Sequence, residues 1–259
     1  MNIDAYAPAE IAARVEKAGI TKVNLPILQT LVLGVLAGVF IAFGGMFYTL
    51  VITDSGLGFG PTRLLGGIAF STGLILVIIG GAELFTGNNL IVIGWAASKI
   101  SSKSLIRNWF WVYVGNFIGA LLMAGAVALS GVMEVGSGAV ANTAISIAQT
   151  KMTIPSIEAF LRGVLCNILV CLAVWLCFAA HTVSGKILAI VFPISAFVAL
   201  GFEHSVANMY LIPVGYLAGA SGVTLDGFIS NLIPVTLGNI VGGGVLVALV
   251  YWVVYLRKS

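Results

Sequence analysis

The sequence predicts an all-α integral membrane protein with six transmembrane helices in two inverted three-helix repeats, the second and fifth helices broken. Three observations predict it. Of 259 residues, 60% are hydrophobic and 8% are charged, where a soluble domain carries about 25% charged residues. The few charges leave uncharged stretches from Val23 to Thr53, Leu64 to Ala82, Asn108 to Met133, Gly163 to Gly185, Ser205 to Leu225 and Gly227 to Leu256. Each is longer than the ~18 apolar residues that suggest a membrane span. The third observation is that short motifs recur in the same order in the two halves of the chain. An ordinary soluble enzyme is excluded, and no catalytic residues are expected.

The first 22 residues hold six acids or bases among alanines. They lack a short apolar core with a small-residue cleavage site, so no removable signal peptide is expected. Residues 8 to 18 place Ile11, Val15 and Ala18 on one face, with Glu10, Arg14 and Lys17 elsewhere and Pro8 in a first helical turn. This predicts a short interfacial helix within residues 1–25. The remaining residues, 26–259, form a six-span domain. Hydropathy with its polar interruptions puts the spans near 26–50, 62–98, 106–131, 156–180, 187–217 and 228–256. Repeat 1 then covers about 26–131 and repeat 2 about 156–256.

The second and fifth spans are unusual. Leu64 to Ser98 is 35 residues with one acid, Glu83, and the fifth span holds Glu203 and His204 within an apolar run. At ~1.5 Å per residue both are too long for one straight helix across a ~30 Å core. Each is expected to break, at Gly80 and Gly81 in one case and at Gly201 in the other. The breaks also match in sequence. Gly81-Ala-Glu83-Leu-Phe-Thr-Gly-Asn88 aligns with Gly201-Phe-Glu203-His-Ser-Val-Ala-Asn208. Asn108, Val112, Gly115, Asn116 and Gly119 align with Asn231, Val235, Gly238, Asn239 and Gly242, and Gly34-Val-Leu aligns with Gly163-Val-Leu. Three spans per half make the second copy enter from the opposite side, and matched broken helices point to a binding site at the membrane midplane.

Lys and Arg counts orient the chain. Nine (Arg14, Lys17, Lys22, Lys99, Lys103, Arg107, Lys186, Arg257, Lys258) fall on the side of the termini, and three (Arg63, Lys151, Arg162) on the other. Both termini are therefore expected in the cytoplasm, with the protein multi-pass in the inner or plasma membrane. The net charge of +3 records this bias and gives no support to nucleic-acid binding. Cys166, Cys171 and Cys177 lie in one apolar segment at spacings that fit neither a metal site nor a disulfide framework. They are expected to be reduced, and neither metal nor cofactor is implied. Gly34/Gly38, Gly115/Gly119 and Gly238/Gly242 are Gly-x-x-x-Gly pairs that predict close helix packing.

His204 is the sharpest candidate for chemistry. An ionisable group in a broken transmembrane helix usually faces a cavity, where an imidazole can donate a hydrogen bond to a small anion or exchange a proton with it. Its bland alternative is a histidine bonded to a backbone carbonyl. Glu83 and Glu203 are expected to be structural, capping the half-helix N-termini, with Asn88 and Asn208 where those half-helices resume. Thr86 could offer its hydroxyl to a ligand across the pore from His204, or cap its own loop. The half-helix ends aimed at the midplane favour anionic cargo. Asn167 and Asn239 read as interhelical glue. His181 reads as an interface residue, and Lys151 and Lys22 either gather anions at the two mouths or are solvated loop residues.

The motifs Gly-Ala-Glu-Leu-Phe-Thr-Gly-Asn (81–88), Gly-Phe-Glu-His-Ser-Val-Ala-Asn-Met (201–209), Asn-Leu-Ile-Pro-Val-Thr-Leu-Gly-Asn-Ile-Val-Gly-Gly-Gly (231–244) and Cys-Leu-Ala-Val-Trp (171–175) resemble the formate/nitrite transporter family. The resemblance runs from about Ala12 to Leu256. It implies an aquaporin-like fold, a homopentamer, and one pore per protomer for small monovalent anions. It makes His204 the central pore histidine, Thr86 the threonine of the loop that breaks the second span, and Asn167 a pore-lining asparagine. Phe70, Leu74, Leu84, Val170 and Phe197 become the apolar constrictions, and Lys151 and Lys22 the vestibule lysines. Formate is the anion most resembled, and nitrite and hydrosulfide are the alternatives. Two readings from other classes compete. A water or glycerol pore lacks support because no Asn-Pro-Ala occurs. An intramembrane serine protease is prompted by Gly219-Ala-Ser221-Gly222, yet no histidine follows His204 to serve as base.

Overall fold

The computed structural model describes residues 5–257, so the expectation that used Lys258 lies outside the described residues. In chain order the helices are α1 (Pro8–Val23), α2 (Ile27–Ile52), α3 (Phe59–Gly80), α4 (Val92–Ala96), α5 (Ser102–Leu129), α6 (Ala139–Met152), α7 (Ser156–Ala179), α8 (Val183–Leu200), α9 (Ser205–Leu217), α10 (Leu225–Ile240) and α11 (Val250–Tyr255). A 3-10 turn, Gly87–Ile91, leads into α4, and a π-helical segment, Val241–Leu249, joins α10 to α11. Among the described residues, six helical stretches are long and apolar enough to cross a membrane: Ile27–Ile52, Phe59–Gly80, Ser102–Leu129, Ser156–Ala179, Val183–Leu200 and Leu225–Tyr255. Large apolar side chains such as Phe59, Leu129, Phe192 and Leu225 lie exposed on their outer faces, as lipid-facing residues do.

The chain enters and leaves these helices for local reasons. Pro26 and Pro155 precede α2 and α7, where a fixed φ and a missing N–H cost nothing. Ser101, Thr182 and Thr224 cap α5, α8 and α10 by accepting from Ser104 N, Gly185 N and Gly227 N. The two expected breaks fall at Gly81 (φ 82°) and Gly201 (φ 73°), left-handed conformations that suit glycine. Beyond each, the backbone runs without helix for a few residues before resuming at Gly87 and Ser205.

Glycine contacts set the packing. A Cβ on Gly115 would stand 2.6 Å from Leu31 O, and one on Gly163 would stand 2.7 Å from Val235 O. These positions pin α2 to α5 and α7 to α10, so the Gly-x-x-x-Gly pairs act within the protomer. One helix was not expected. α6 lies between the third and fourth spans and is amphipathic, with Val140, Ala144 and Ala148 buried at four-residue spacing against α9. Its last turn carries Lys151. The sixth span, expected near 228–256, is not one regular α-helix: its Gly242-Gly243-Gly244 run lies in the π segment.

Candidate functional site

The two breaks meet in the interior. Nδ1 of His204 accepts from Ala207 N at 3.0 Å, which makes His204 the N-cap of α9. Its Nε2 lies 2.9 Å from Thr86 Oγ1 at the other break. Because Nδ1 is an acceptor, the ring proton sits on Nε2, which donates to Thr86 Oγ1 and leaves the threonine hydroxyl hydrogen free. The site is thus a donor pair in direct contact, not two groups facing each other across an open pore. Both residues are buried.

Each break is fixed by an equivalent hydrogen-bond net. Lys22 Nζ donates to Glu83 Oε1 at 2.7 Å and to Asn88 Oδ1 at 2.8 Å. Asn88 Nδ2 donates to Glu83 Oε2 at 2.7 Å and to Asn108 Oδ1 at 3.0 Å. In the other half, Lys151 Nζ donates to both Glu203 oxygens at 2.8 and 3.0 Å, and Asn208 Nδ2 to Glu203 Oε2 and Asn231 Oδ1 at 2.7 and 2.8 Å. Asn116 accepts from Phe85 N and donates to Gly34 O and Glu83 O. Asn239 does the same for Ser205 N, Gly163 O and Glu203 O.

Two expectations change here. Glu83 and Glu203 do not cap the half-helices. Each lies before its half-helix and turns its carboxylate to a lysine and an asparagine, because a buried carboxylate is best satisfied by a cation and a side-chain donor. Lys22 and Lys151 are correspondingly ion-paired, not free cations at the mouths.

Apolar side chains flank the central pair. Phe70 and Phe197 meet edge to face at 5.6 Å, and Phe197 stacks on the His204 ring at 6.0 Å and 19°. A cavity of ≈ 260 Å³ reaches His204 from the side of Lys151, Arg63 and Arg162. On the opposite side Leu74 and Leu84 line a smaller cavity of ≈ 40 Å³, with Val15, Ala18, Gly19 and Lys22 of α1 on its wall. The α1 helix is held there by Lys99–Glu16 at 2.5 Å and by Arg107 Nη2 donating to Val23 O at 2.5 Å. Val170 is fully buried in the same core.

Asn167 Nδ2 donates to Thr86 O at 3.2 Å and Asn239 O at 2.7 Å, and its Oδ1 has no partner among the described residues. His181 lies apart, exposed and packed on Tyr6 at 4.1 Å. Ser221 is exposed in the turn after α9, where its carbonyl accepts from Gln149 Nε2, while His204 is buried. The protease constellation does not assemble.

Residues 9–253 match the family model described as Formate/nitrite transporter. The chain belongs to the formate/nitrite transporter family. It is 41% identical over 275 residues to the formate channel FocA of Escherichia coli strain K12, covering 99% of this chain and 96% of FocA. It is 44% identical to the probable formate transporter of Methanothermobacter thermautotrophicus, with 97% and 98% covered. Among solved structures it resembles a pentameric formate channel with formate bound, at TM-score 0.83 and 40% identity over 89% of this chain and 98% of that one. An FNT family ion channel matches at TM-score 0.84 and 32% identity, covering 95% and 98%. These relatives are channels and transporters, not enzymes. In this member of the formate/nitrite transporter family, sequence reading missed the anchoring roles of Asn108, Asn116 and Asn231. The signal was present in the repeated Asn-x-x-x-Val-x-x-Gly-Asn spacing. It also counted Arg63 for orientation alone, although Arg63 stands seven residues before Phe70 on one helix face.

Proposed function

We propose that this protein is a membrane channel or transporter for small weak-acid anions, formate first, working as a homopentamer with one path per protomer. The carrying observation is the buried Thr86–His204 hydrogen bond between two apolar constrictions. The relatives named as formate channels, and the solved pentamer with formate bound, support the substrate and the assembly. Three spans in each half, with matching hydrogen-bond nets at the two breaks, support an inverted repeat. The Lys and Arg bias supports cytoplasmic termini in the inner or plasma membrane, with α1 an interfacial helix on that side.

A bare anion pays heavily to leave water for the phenylalanine constriction. It is met at the centre by the Nε2–H of His204 and the free hydroxyl hydrogen of Thr86. Protonation of the anion needs a second ring proton on His204, hence Nδ1–H. That proton ends the cap on Ala207; transfer of the Nε2 proton to the anion leaves the neutral Nδ1–H ring, and the cap re-forms only when Nδ1 gives up its proton and Nε2 regains one. Passage as an anion and passage as the neutral acid therefore use the same two side chains.

Uptake into proteoliposomes at pH 5 and pH 7.5 tests the reading with formate, nitrite, hydrosulfide, acetate and glycerol. The expected result is that anions pass, formate fastest, with a pH dependence that His204→Ala loses. Passage of glycerol without anions would sink the function and leave the fold.

A further inference from the structure

Three cations line the cavity that ends at His204: Lys151, Arg162 and Arg63. Lys151 is taken up by Glu203, and Arg162 pairs with Glu158 at 3.0 Å. Arg63 forms no ion pair among the described residues. Its Nε donates to Ala199 O at 2.5 Å and its Nη2 to Val198 O at 3.3 Å, at the C-terminal end of α8. A helix end of that kind carries roughly half a negative charge, so Arg63 keeps a net positive charge toward the cavity.

The donor count points the same way. A guanidinium has about five N–H groups. Those of Nη1 have no acceptor among the described residues. With the second N–H of Nη2 they form the fork that fits a carboxylate bidentately. Arg63, Phe70 and Leu74 share one face of α3, so an anion held at Arg63 stands in front of the phenylalanine constriction.

The other mouth repeats the arrangement. Lys22 is engaged by Glu83 and Asn88, while Lys186, in the first turn of α8, lines the same cavity as Lys22 and Glu83. Lys186 also forms no ion pair among the described residues. Because α8 corresponds to α3, each repeat lends a second cation to the mouth built on the other repeat's glutamate.

We propose that Arg63 and Lys186, rather than the ion-paired Lys151 and Lys22, are the anion-docking subsites of the two mouths, Arg63 taking a small monocarboxylate bidentately. This rests on the anion-conducting reading above. It assigns the mouths' electrostatic work to residues whose charge is not cancelled by a carboxylate.

The test is formate current through the purified full-length protein in planar bilayers, at 10 mM and 1 M formate salt, for wild type, Arg63→Gln, Arg63→Lys and Lys186→Gln. Screening lengths of about 30 Å and 3 Å at those concentrations separate electrostatic from structural effects. Arg63→Gln is expected to cut current entering from its own mouth about three- to tenfold at 10 mM and less than twofold at 1 M. Lys186→Gln should do so for the opposite direction. Arg63→Lys keeps the charge but loses the fork, so its low-salt current should fall between those of wild type and Arg63→Gln. A loss of equal size at both concentrations, or no loss at 10 mM, overturns the inference while wild type still conducts. A wild type that passes no anion overturns the functional reading and the inference together.

Discussion

At the scale of single residues, the site depends on a hydrogen bond whose direction the cap dictates. His204 can donate to Thr86 because Ala207 N occupies the other ring nitrogen. Thr86→Val removes the acceptor and the free hydroxyl while keeping the shape, and Thr86→Ser keeps both. Valine should lower formate flux by about tenfold, the value of one hydrogen bond of about 1.4 kcal/mol, and serine by less than threefold. Stopped-flow uptake at fixed protein density checks this. Equal fluxes for the two variants would remove Thr86 from the path. The glutamates make a second residue-scale prediction. The Lys151 side chain is 13% exposed and the Lys22 side chain 30%, so Glu203→Gln strands the more buried cation. It should cost about 3 kcal/mol and lower the melting temperature more than Glu83→Gln. The sequence marked both glutamates and His204 because ionisable residues in apolar runs stand out. It could not assign the cap, which falls on His204 because the α9 helix starts at Ser205 and the His204 ring, on extended backbone, reaches Ala207 N.

At the scale of elements, the two breaks were readable because Gly81 and Gly201 precede an acid in long apolar runs. The π segment was not readable. Three successive glycines record that side chains are excluded, and they say nothing about helix period. The structure supplies the reason for one of them. A Cβ on Gly243 would fall 2.6 Å from Cys171 Sγ and 2.9 Å from Asn89 Cβ, and it would overlap Asn167 Nδ2. Asn167 ties the Asn239 carbonyl at the end of α10 to the Thr86 carbonyl. Gly243→Ala should therefore displace Asn167 and, through it, the Thr86 loop. The expected outcome is a destabilisation of about 1–3 kcal/mol with formate flux reduced severalfold in protein that still assembles. Flux and thermal melting measured on the same preparation decide it, and unchanged flux would uncouple the π segment from the site. The α6 helix escaped hydropathy for a different reason. Its apolar residues occupy one narrow face, so its mean hydropathy falls below that of a span, and only its four-residue spacing betrays it.

At the scale of the whole molecule, the match between the two halves, in motifs and in hydrogen-bond nets, is the organising feature of the proposed repeat. Its sequence trace was a handful of glycines, asparagines and acids because those are the positions where backbone approach or a hydrogen bond leaves no substitute. The apolar positions between them differ between the two halves, since any lipid-facing side chain of similar size serves. The halves are also interlocked: α3 packs on α8, and α9 packs on α5, α2 and α6. Neither repeat can bury its own break alone, and the chain should fold as one unit. The inverted arrangement proposed above makes a topological demand that residue contacts cannot test. Under it, six crossings would put the N- and C-terminal ends on one side, with the Lys22–Glu83 and Lys151–Glu203 pairs facing opposite sides of the membrane. A membrane-impermeant thiol reagent applied to Lys17→Cys and Thr150→Cys in intact cells reads this out. The native cysteines are buried, so labelling reports the introduced position. Thr150→Cys should label from outside, and Lys17→Cys only after the membrane is opened. Labelling of both from outside would place the termini and α6 on one face, which is incompatible with an inverted arrangement of the two halves.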